Sequence, residues 1–334
     1  MFRLLLSVTI FVMFKKICNI CFITSLLYSS ATAQDLTQDL VGYYRFEKNF
    51  KDTSNSGNVN HGTTDNAPEF QVGINGHSIK LRDQLDPKQA ISLGNGTDFQ
   101  FGASTDFTVS IWFKHLGKMH NNTNLGGGST DPILIGSGNW TSSSNVGWYI
   151  YGLSDGGLGF NISDGSRKKK TSIINGFGAN GIADGRWHHV AVSNDRNGNA
   201  RFYIDGKYKG QTSISSITSI NTGLPTVIAA DSNKNYHYRG NLDEAAIWRR
   251  VLTTAEIKSL YENTQKGISV SGDTIVDVDG DGMDDDWEME QFGTTAYTAE
   301  QDHDGDGRSN YLEYAQGTDP EKEEKEKTNK KAKN

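Results

Sequence analysis

The chain has 334 residues, of which 35% are hydrophobic and 22% charged, and its formal net charge is −7. These values exclude a fibrous or wholly disordered chain and indicate one or two soluble globular domains. The acidic balance excludes nucleic acid as the expected partner.

The N-terminal segment, residues 1–33, is predicted to be a signal peptide and not part of the fold. A lysine pair at 15–16 precedes an apolar stretch, and Ala-Thr-Ala at 31–33 forms a small-residue cleavage site. A membrane anchor is the alternative, but the lysine pair splits the apolar residues into two runs that are each short for a span. Cleavage would remove both cysteines, Cys18 and Cys21, so the secreted chain would contain no disulfide.

A short linker at 34–39 leads into residues 40–267, where short runs rich in β-branched and aromatic residues alternate with turn residues. In "FTVSIWFK", residues 107–114, every second side chain is apolar, which is the period of a half-buried strand. A single helix is predicted in "LTTAEIKSLYEN", with Thr253 or Thr254 as its N-cap and Glu256 completing the cap. This pattern predicts an all-β fold made of two packed antiparallel sheets.

Four successive motifs in this region resemble a known family. The motifs "LVGYYRFEKNFKDTSNSGNVNHGT", "DFTVSIWFK", "DGRWHHVAVSNDRNGNARFYIDGK" and "YRGNLDEAAIWRRVLTTAEIKSLYE" are similar to signatures of the laminin-G-like, concanavalin A-like jelly-roll domains of secreted bacterial proteins. The resemblance implies a jelly roll of two antiparallel sheets closed by a short helix. It does not by itself define a function, because this fold carries many functions.

The jelly-roll region shows no recognisable catalytic motif. His188 and His189 are adjacent on a predicted strand, so they should point to opposite faces and not form a catalytic pair. The same alternation should separate the adjacent carboxylates Asp243 and Glu244, whereas a glycosidase needs two carboxylates facing one substrate. We therefore predict a non-catalytic protein. The alternative is an enzyme that acts on polysaccharides, or the binding appendage of one.

Two stretches combine aromatic and amide side chains, which is typical of loops that bind sugars. They are "GSGNWTSSSNVGWYIYG", residues 136–152, and "DSNKNYHYRG", residues 231–240. Ordinary polar turns have the same composition. The predicted ligand-binding residues are Asn139, Trp140, Asn233, Asn235, Tyr236 and Tyr238.

The resemblance also implies a structural cation on the sandwich. By that resemblance Asp243 in "GNLDE" and Asp52 in "FKDTSNSGN" are the proposed ligands. An aspartate that only caps a turn looks the same in sequence, so this alternative stays open.

Beyond a linker at 268–276, residues 277–320 contain two 12-residue stretches with the spacing of calcium-binding loops. Calcium prefers six to eight oxygen ligands, which such a loop supplies from positions 1, 3, 5, 7, 9 and 12 around a glycine at position 6. The first loop offers Asp277, Asp279, Asp281, the carbonyl of Met283, Asp285 and Glu288. The second offers Asp302, Asp304, Asp306, the carbonyl of Arg308, Asn310 and Glu313. We predict one Ca²⁺ per loop in preference to Mg²⁺, because the terminal glutamate can bind with both oxygens and enlarge the cage.

The two loops differ from a paired EF-hand sensor. No entering helix is predicted before the first loop, and only the exiting segments "DDWEMEQF" and "SNYLEYAQG" are predicted to be short helices. Position 8 holds the polar residues Asp284 and Ser309 in place of an apolar one. Together with "GTDP" at 317–320, the loops resemble the calcium repeats of bacterial secreted proteins, akin to thrombospondin type 3 repeats and dockerins. This resemblance implies a lasting structural clamp and not a calcium switch.

The sequence thus predicts a secreted or cell-surface protein that binds a glycan or another cell-surface or matrix ligand. The tail at 321–334 is charged with both signs and lacks a run of apolar residues, so it is predicted to be a solvated tail. A stalk that displays other modules at the cell surface is a further alternative. No integral membrane segment is expected after signal cleavage.

Overall fold

The structure is a computed structural model that describes residues 35–82, 89–116, 131–140, 144–176, 181–272, 281, 283–316 and 318–323. The predicted signal peptide and the last part of the charged tail lie outside the described residues. The chain divides into two units, Met1–Asp35 and Leu36–Asn334, and the architecture below is that of the second unit.

The described part of the second unit is dominated by short antiparallel strands. In chain order these are β1 (Leu40–Tyr44), β2 (Glu69–Val72), β3 (His77–Leu81), β4 (Ile91–Ser92), β5 (Phe107–Leu116), β6 (Ile133–Ser137), β7 (Gly147–Gly152), β8 (Leu158–Ser163), β9 (Lys168–Ile174), β10 (Asp184–Asn194), β11 (Asn199–Ile204), β12 (Lys207–Ser213), β13 (Thr226–Ile228) and β14 (Gly240–Trp248).

The strands form two sheets, as predicted. The first sheet has the order β12-β11-β10-β5-β14-β3-β2, with β1 paired to β14, and the second has the order β4-β13-β6-β7-β8-β9. Consecutive residues of a strand point to opposite faces, so each sheet presents one apolar face to the other. The all-β, two-sheet antiparallel prediction is confirmed.

The main core lies between the two sheets. On β5 the side chains of Phe107, Val109, Ile111 and Phe113 are buried there, in agreement with the alternation of the sequence. Burying one such side chain contributes about 1.5–3 kcal/mol to folding. The core therefore supplies a rigid scaffold from which the loops project.

A helix covers the outer face of the first sheet. This helix, α1 (Thr254–Thr264), begins with the predicted capping box, in which the Thr253 side chain accepts the Glu256 N–H and the Glu256 side chain accepts the Thr253 N–H. Such a cap contributes about 1 kcal/mol. The Tyr261 ring stacks on Trp112, with ring centroids 5.3 Å apart, so this tryptophan is part of a sealed layer.

The C-terminal segment adds two short helices, α2 (Asp285–Phe292) and α3 (Asn310–Gln316). They pack on each other through an edge-to-face contact between Trp287 and Tyr314, whose ring centroids are 4.9 Å apart. None of the helices in the described ranges has the length and apolar character needed to cross a membrane.

Candidate functional site

The second predicted calcium loop is folded around its first three aspartates. Asp302, Asp304 and Asp306 each place one carboxylate oxygen within 4.8 Å of the others. Both oxygens of Asp302 also accept backbone N–H groups across the turn, from Gly305 and Gly307, at 2.8 Å each. Both glycines have positive φ, which explains why the turn needs them. The loop therefore brings three like charges together at one point.

The last residue of this loop is buried beside these charges. Glu313 is fully buried, and its Oε2 has no hydrogen-bond partner among the described residues. Burial, followed by the negative charges of Asp304 and Asp306, raises the pKa of Glu313 to about 7. A buried carboxylate among like charges is costly unless a cation is present. The donor set therefore fits Ca²⁺, with oxygen ligands and one buried glutamate able to bind through both oxygens.

Position 8 of each loop has a structural role that the sequence analysis missed. Asp284 accepts the N–H of Trp287 at 3.1 Å, and Ser309 accepts the N–H of Leu312 at 3.2 Å. Each acceptor precedes its helix by one residue, which is the geometry of an N-cap. These polar residues start α2 and α3, so position 8 is not available for pairing the two loops as in a sensor EF-hand.

The first loop is described only in its second half. Met283 is fully buried and donates its N–H to the Asp281 carboxylate at 2.9 Å, while Glu288 is also fully buried. The predicted ligands Asp277 and Asp279 lie outside the described residues. The first calcium site therefore stays a prediction.

Helix α3 connects the second predicted calcium loop to the jelly roll. The Tyr311 hydroxyl lies 3.1 Å from His77 Nε2, and the Nδ1 atom of that histidine lies 3.1 Å from the Glu47 carboxylate. The Lys48 ammonium sits 3.2 Å above the Tyr311 ring centroid, and burial lowers the pKa of this lysine to about 8. The sequence analysis missed this contact because 234 residues separate its partners.

The adjacent carboxylates of β14 lie on the same face, which corrects the prediction that they point to opposite faces. The pairing of β14 with β5 shifts register between Asp243 and Ala246, and Glu244 has φ +49°. This bulge adds a residue to one strand and interrupts the alternation. Leu242 and Ala245, on either side of the pair, both point into the core.

This carboxylate pair is nevertheless sealed from solvent. Asp243 and Glu244 are 0% and 3% exposed, and burial raises the pKa of both groups, that of Glu244 to about 8. The Tyr43 hydroxyl donates to Glu244 and accepts the Val270 N–H at 3.3 Å, so the chain beyond α1 lies over the pair. A pair of acids that is closed to substrate is unsuited to glycoside hydrolysis.

The two predicted ligands of a sandwich cation hold different loops. Asp52 accepts the N–H groups of Tyr43, Ser54 and Asn60 at 3.0–3.1 Å. Asp243 accepts the N–H groups of Ile74 and Glu244 at 2.9 and 2.8 Å. The two aspartates share no hydrogen-bond donor among the described residues. A cation held by both of them therefore stays a prediction, with the turn-capping alternative supported by these bonds.

Trp140, one of the predicted ligand-binding residues, lies inside an aromatic cluster. Trp140 is only 6% exposed, and its ring contacts Tyr149, Tyr151 and Tyr236 at centroid distances of 4.9, 4.9 and 6.5 Å. Because neighbouring rings already occupy its surroundings, Trp140 cannot offer a whole face to a sugar. It supports Tyr236, which is half-buried at the rim of this aromatic cluster.

Tyr238 is a second correction. It is 1% exposed, lies in the main core and donates its hydroxyl to the Lys114 carbonyl at 3.3 Å. The i, i+2 spacing of Tyr236 and Tyr238 would place both on one face of a strand, but Tyr236 has φ +56°, which turns the chain. Tyr238 is therefore a core residue and not a ligand-binding residue.

A buried aspartate that the sequence analysis did not single out joins the two predicted binding loops. Asp231 is fully buried and accepts N–H groups from Trp140, Asn233 and Asn235 at 3.1, 3.0 and 2.8 Å. Asn233 is exposed, whereas Asn139 and Asn235 are half-buried. The Asp-x-Asn-x-Asn spacing of "DSNKN" was the available signal, since an aspartate often accepts the N–H two residues ahead.

A serine and a histidine come together without forming a catalytic triad. Ser110 Oγ lies 2.7 Å from His189 Nε2, but both residues are buried and His189 Nδ1 has no partner among the described residues. Burial lowers the pKa of His189 to about 4. Without an orienting acid and without access from solvent, this pair is a packing contact.

His188 points to the other face, as predicted, and is held by two carboxylates. Its Nδ1 lies 2.9 Å from Asp205 and its Nε2 lies 3.2 Å from Asp184. Burial lowers the pKa of His188, but the bonds and charges of the two aspartates outweigh the burial and raise the pKa above its usual value. The imidazolium therefore ties the start of β10 to the turn after β11.

With this geometry established, the chain can be placed among known proteins. The concanavalin A-like lectin/glucanases superfamily matches residues 86–258, which is more than half of the chain. The chain therefore belongs to this superfamily.

Individual relatives are more distant. Botulinum-like toxin eBoNT/J from Enterococcus is 25% identical over 194 residues, and non-toxic nonhemagglutinin type A from Clostridium botulinum is 26% identical over 190 residues. These alignments cover 57% of this chain but only 14% of each relative, so the chain spans about a seventh of the length of these curated relatives.

Solved structures share the fold. The binding domain of Paraclostridial Mosquitocidal Protein 1 superposes with a TM-score of 0.55 at 22% identity, covering 68% of this chain and 52% of that one. The binding domain of botulinum neurotoxin DC, in complex with rat synaptotagmin II, superposes with a TM-score of 0.51 at 16% identity, covering 70% and 53%.

Proposed function

We propose that this protein is a non-catalytic, lectin-like binding module that acts outside the cell. Its ligand is a glycan, or another cell-surface or matrix molecule that presents sugar-like hydroxyl groups. The loops joined by Asp231 form the ligand site, with Tyr236, Asn233 and Asn235 as the contacting residues. The observation that carries this proposal is the buried Asp231 carboxylate, which accepts the backbone N–H groups of Trp140, Asn233 and Asn235 and so holds the two loops together.

Binding is favoured over catalysis by the burial of the chemically active groups. The acid pair of β14 and the Ser110–His189 pair are closed to solvent. A hydrolase would need at least one such group in contact with its substrate. The described residues at the loop site, by contrast, offer an aromatic ring and amides, which are suited to stacking and hydrogen bonding.

The similar proteins support the same class of function. The two structures of similar fold are described as binding domains, one of them in complex with a synaptotagmin. Membership of a lectin/glucanase superfamily is compatible with binding of a carbohydrate. The fold alone does not name the ligand, so the loop residues of this chain carry the proposal.

We further propose that Ca²⁺ occupies both C-terminal loops and acts as a structural clamp. In the second loop Asp302, Asp304, Asp306, Asn310 and Glu313 would supply side-chain oxygens. The bound ion would neutralise the carboxylate cluster and keep α3 in place against the sandwich. Millimolar calcium outside the cell is sufficient for loops of moderate affinity, which agrees with the proposed extracellular location.

A glycan array probed with the full chain, with calcium and with chelator, tests the proposal. Tyr236→Ala should weaken binding of the best glycan by roughly tenfold, because one aromatic contact is worth about 1–1.5 kcal/mol. Val72→Ala is the control, because Val72 is an exposed apolar residue on β2, outside the two loops. The proposal fails if no glycan binds, or if both variants reduce binding equally.

A further inference from the structure

One edge of the sandwich carries a concentration of positive charge that the proposed loop site does not explain. Strand β9 ends the second sheet, strand β12 ends the first sheet, and the two strands lie next to each other. We call this surface the basic edge. Its cationic residues are Arg167, Lys168, Lys169, Lys170, Arg201, Lys207 and Lys209.

The basic edge is not balanced by acids of its own strands. Strands β8, β9, β11 and β12 contain no aspartate or glutamate, although the whole chain has a net charge of −7. Arg167 and Lys170 each pair with an aspartate at 3.5 and 3.0 Å. Lys169, Lys207 and Lys209 form no ion pair with any residue in the described ranges. A net positive surface therefore remains on an acidic protein.

The basic edge is continuous with the aromatic cluster of the proposed ligand site. On β8, Phe160 and Ile162 point into the core, so Asn161 and Ser163 point to the outer face. Lys170 and Lys168 pair with these two residues and therefore also lie on the outer face. The Lys170 ammonium lies 5.1 Å from the Trp140 ring centroid and 4.9 Å from that of Tyr151. Lys170 thus joins the start of the basic edge to the aromatic cluster.

We propose that the basic edge binds an acidic polysaccharide, meaning a chain that bears uronate carboxylates or sulfates. This inference rests on the proposed glycan-binding function and defines its ligand class. Seven residues of β9 extend over about 23 Å at ~3.3 Å per residue, which is long enough to follow several sugar units. The narrow shape of a strand edge matches a single polymer chain better than a duplex or a membrane surface.

The alternative role of these lysines is to block association between sheet edges, for which lysine is commonly used. Two features favour a binding role. Arg201 lies on β11, which is inside its sheet and not at the edge. Acids would block edge pairing equally well, yet these strands contain none. An excess of positive charge is instead what an anionic polymer requires.

The test uses the full chain and measures affinity for polygalacturonate and dextran sulfate, with uncharged dextran, duplex DNA and phosphatidylserine vesicles as comparison probes. The edge variant is Lys169→Gln/Lys207→Gln/Lys209→Gln. The control variant is Lys51→Gln/Lys114→Gln/Lys266→Gln, which removes the same charge from exposed lysines elsewhere.

The expected result is binding to an acidic polymer that weakens with salt, is absent for uncharged dextran, and falls roughly tenfold in the edge variant alone. Equal losses in both variants, or a preference for DNA or vesicles, would overturn the inference. Light scattering identifies the remaining outcome: an edge variant that aggregates while its soluble fraction binds normally would show that the lysines only protect the edge. A further outcome is a parent chain that binds a neutral glycan, loses that binding in Tyr236→Ala, and binds no acidic polymer. This result would support the proposed function but overturn the inference about the basic edge.

Discussion

Replacing the buried glutamate of the second calcium loop provides a direct test of the calcium clamp. Glu313→Gln keeps the size of the side chain but removes its charge and its capacity to bind Ca²⁺ through two oxygens. A loop with a Kd of roughly 0.1 mM, in about 5 mM calcium, contributes about 2.3 kcal/mol of stability by mass action. For a folded unit of this size that corresponds to a rise in melting temperature of roughly 5–9 °C.

The effect of Glu313→Gln on stability should change sign when calcium is removed: the variant is less stable than the parent protein in calcium but not in EDTA. Without the ion, Glu313 is a fully buried carboxylate next to Asp304 and Asp306, and its pKa is raised to about 7. Glutamine avoids this cost, so in EDTA the variant should be at least as stable as the parent protein. In calcium the parent should gain the melting-temperature increment from each loop, whereas the variant should gain it only from the first loop.

The assay is a thermal melt at neutral pH of both proteins, in 5 mM calcium and in EDTA. Glu321→Gln is the matched control, because that glutamate is exposed and eight residues further along. The calcium clamp is refuted if EDTA does not change the melting temperature of the parent protein, or if Glu313→Gln retains the full calcium response.

Three further changes test other parts of the structure. Tyr311→Phe should cost about 1 kcal/mol in urea unfolding with calcium present, because it removes one hydrogen bond between α3 and the sandwich; an unchanged midpoint would argue against that contact. His188→Gln should destabilise the protein at pH 5.5 but not at pH 9. Because the pKa of His188 is raised in the folded state, its ion pairs stabilise the fold below the unfolded pKa of about 6.5. This stabilisation is lost as the pH rises through the folded pKa. The same loss at both pH values would contradict the assignment. Gly76→Ala should lower the free energy of unfolding by about 1–3 kcal/mol, because φ is +63° there and the new methyl group would collide with the Glu47 carboxylate. Gly57→Ala should lower it less, because that position also has positive φ but lies in open space.

Much of the fold was accessible from short stretches of sequence. The alternation of β5, the capping box at Thr253 and the clustering of Asp302, Asp304 and Asp306 are each encoded within about a dozen residues. Strand periodicity, helix capping and metal-ligand spacing depend on neighbours along the chain, so a local pattern is sufficient to predict them.

The errors occurred where long-range packing overrode a local rule. The two-residue period failed at Glu244 because a bulge in its pairing with β5 inserted an additional residue. Trp140 was misjudged because its burial depends on how Tyr149 and Tyr151 of β7, and Tyr236 of the second predicted binding loop, pack against it. Composition described these loops correctly as aromatic and polar, but it could not indicate which ring would face outward.

The sequence by itself determined the sheet-forming strands, the closing helix and the two acidic loops, because each depends on interactions between residues that are near in the chain. Only the tertiary structure decided that α3 docks on His77, that Asp231 joins two loops, and that β9 lies beside β12. The physical reason is that these contacts form only after the chain has closed long loops around a common core, and the resulting neighbours leave no periodic trace in the sequence.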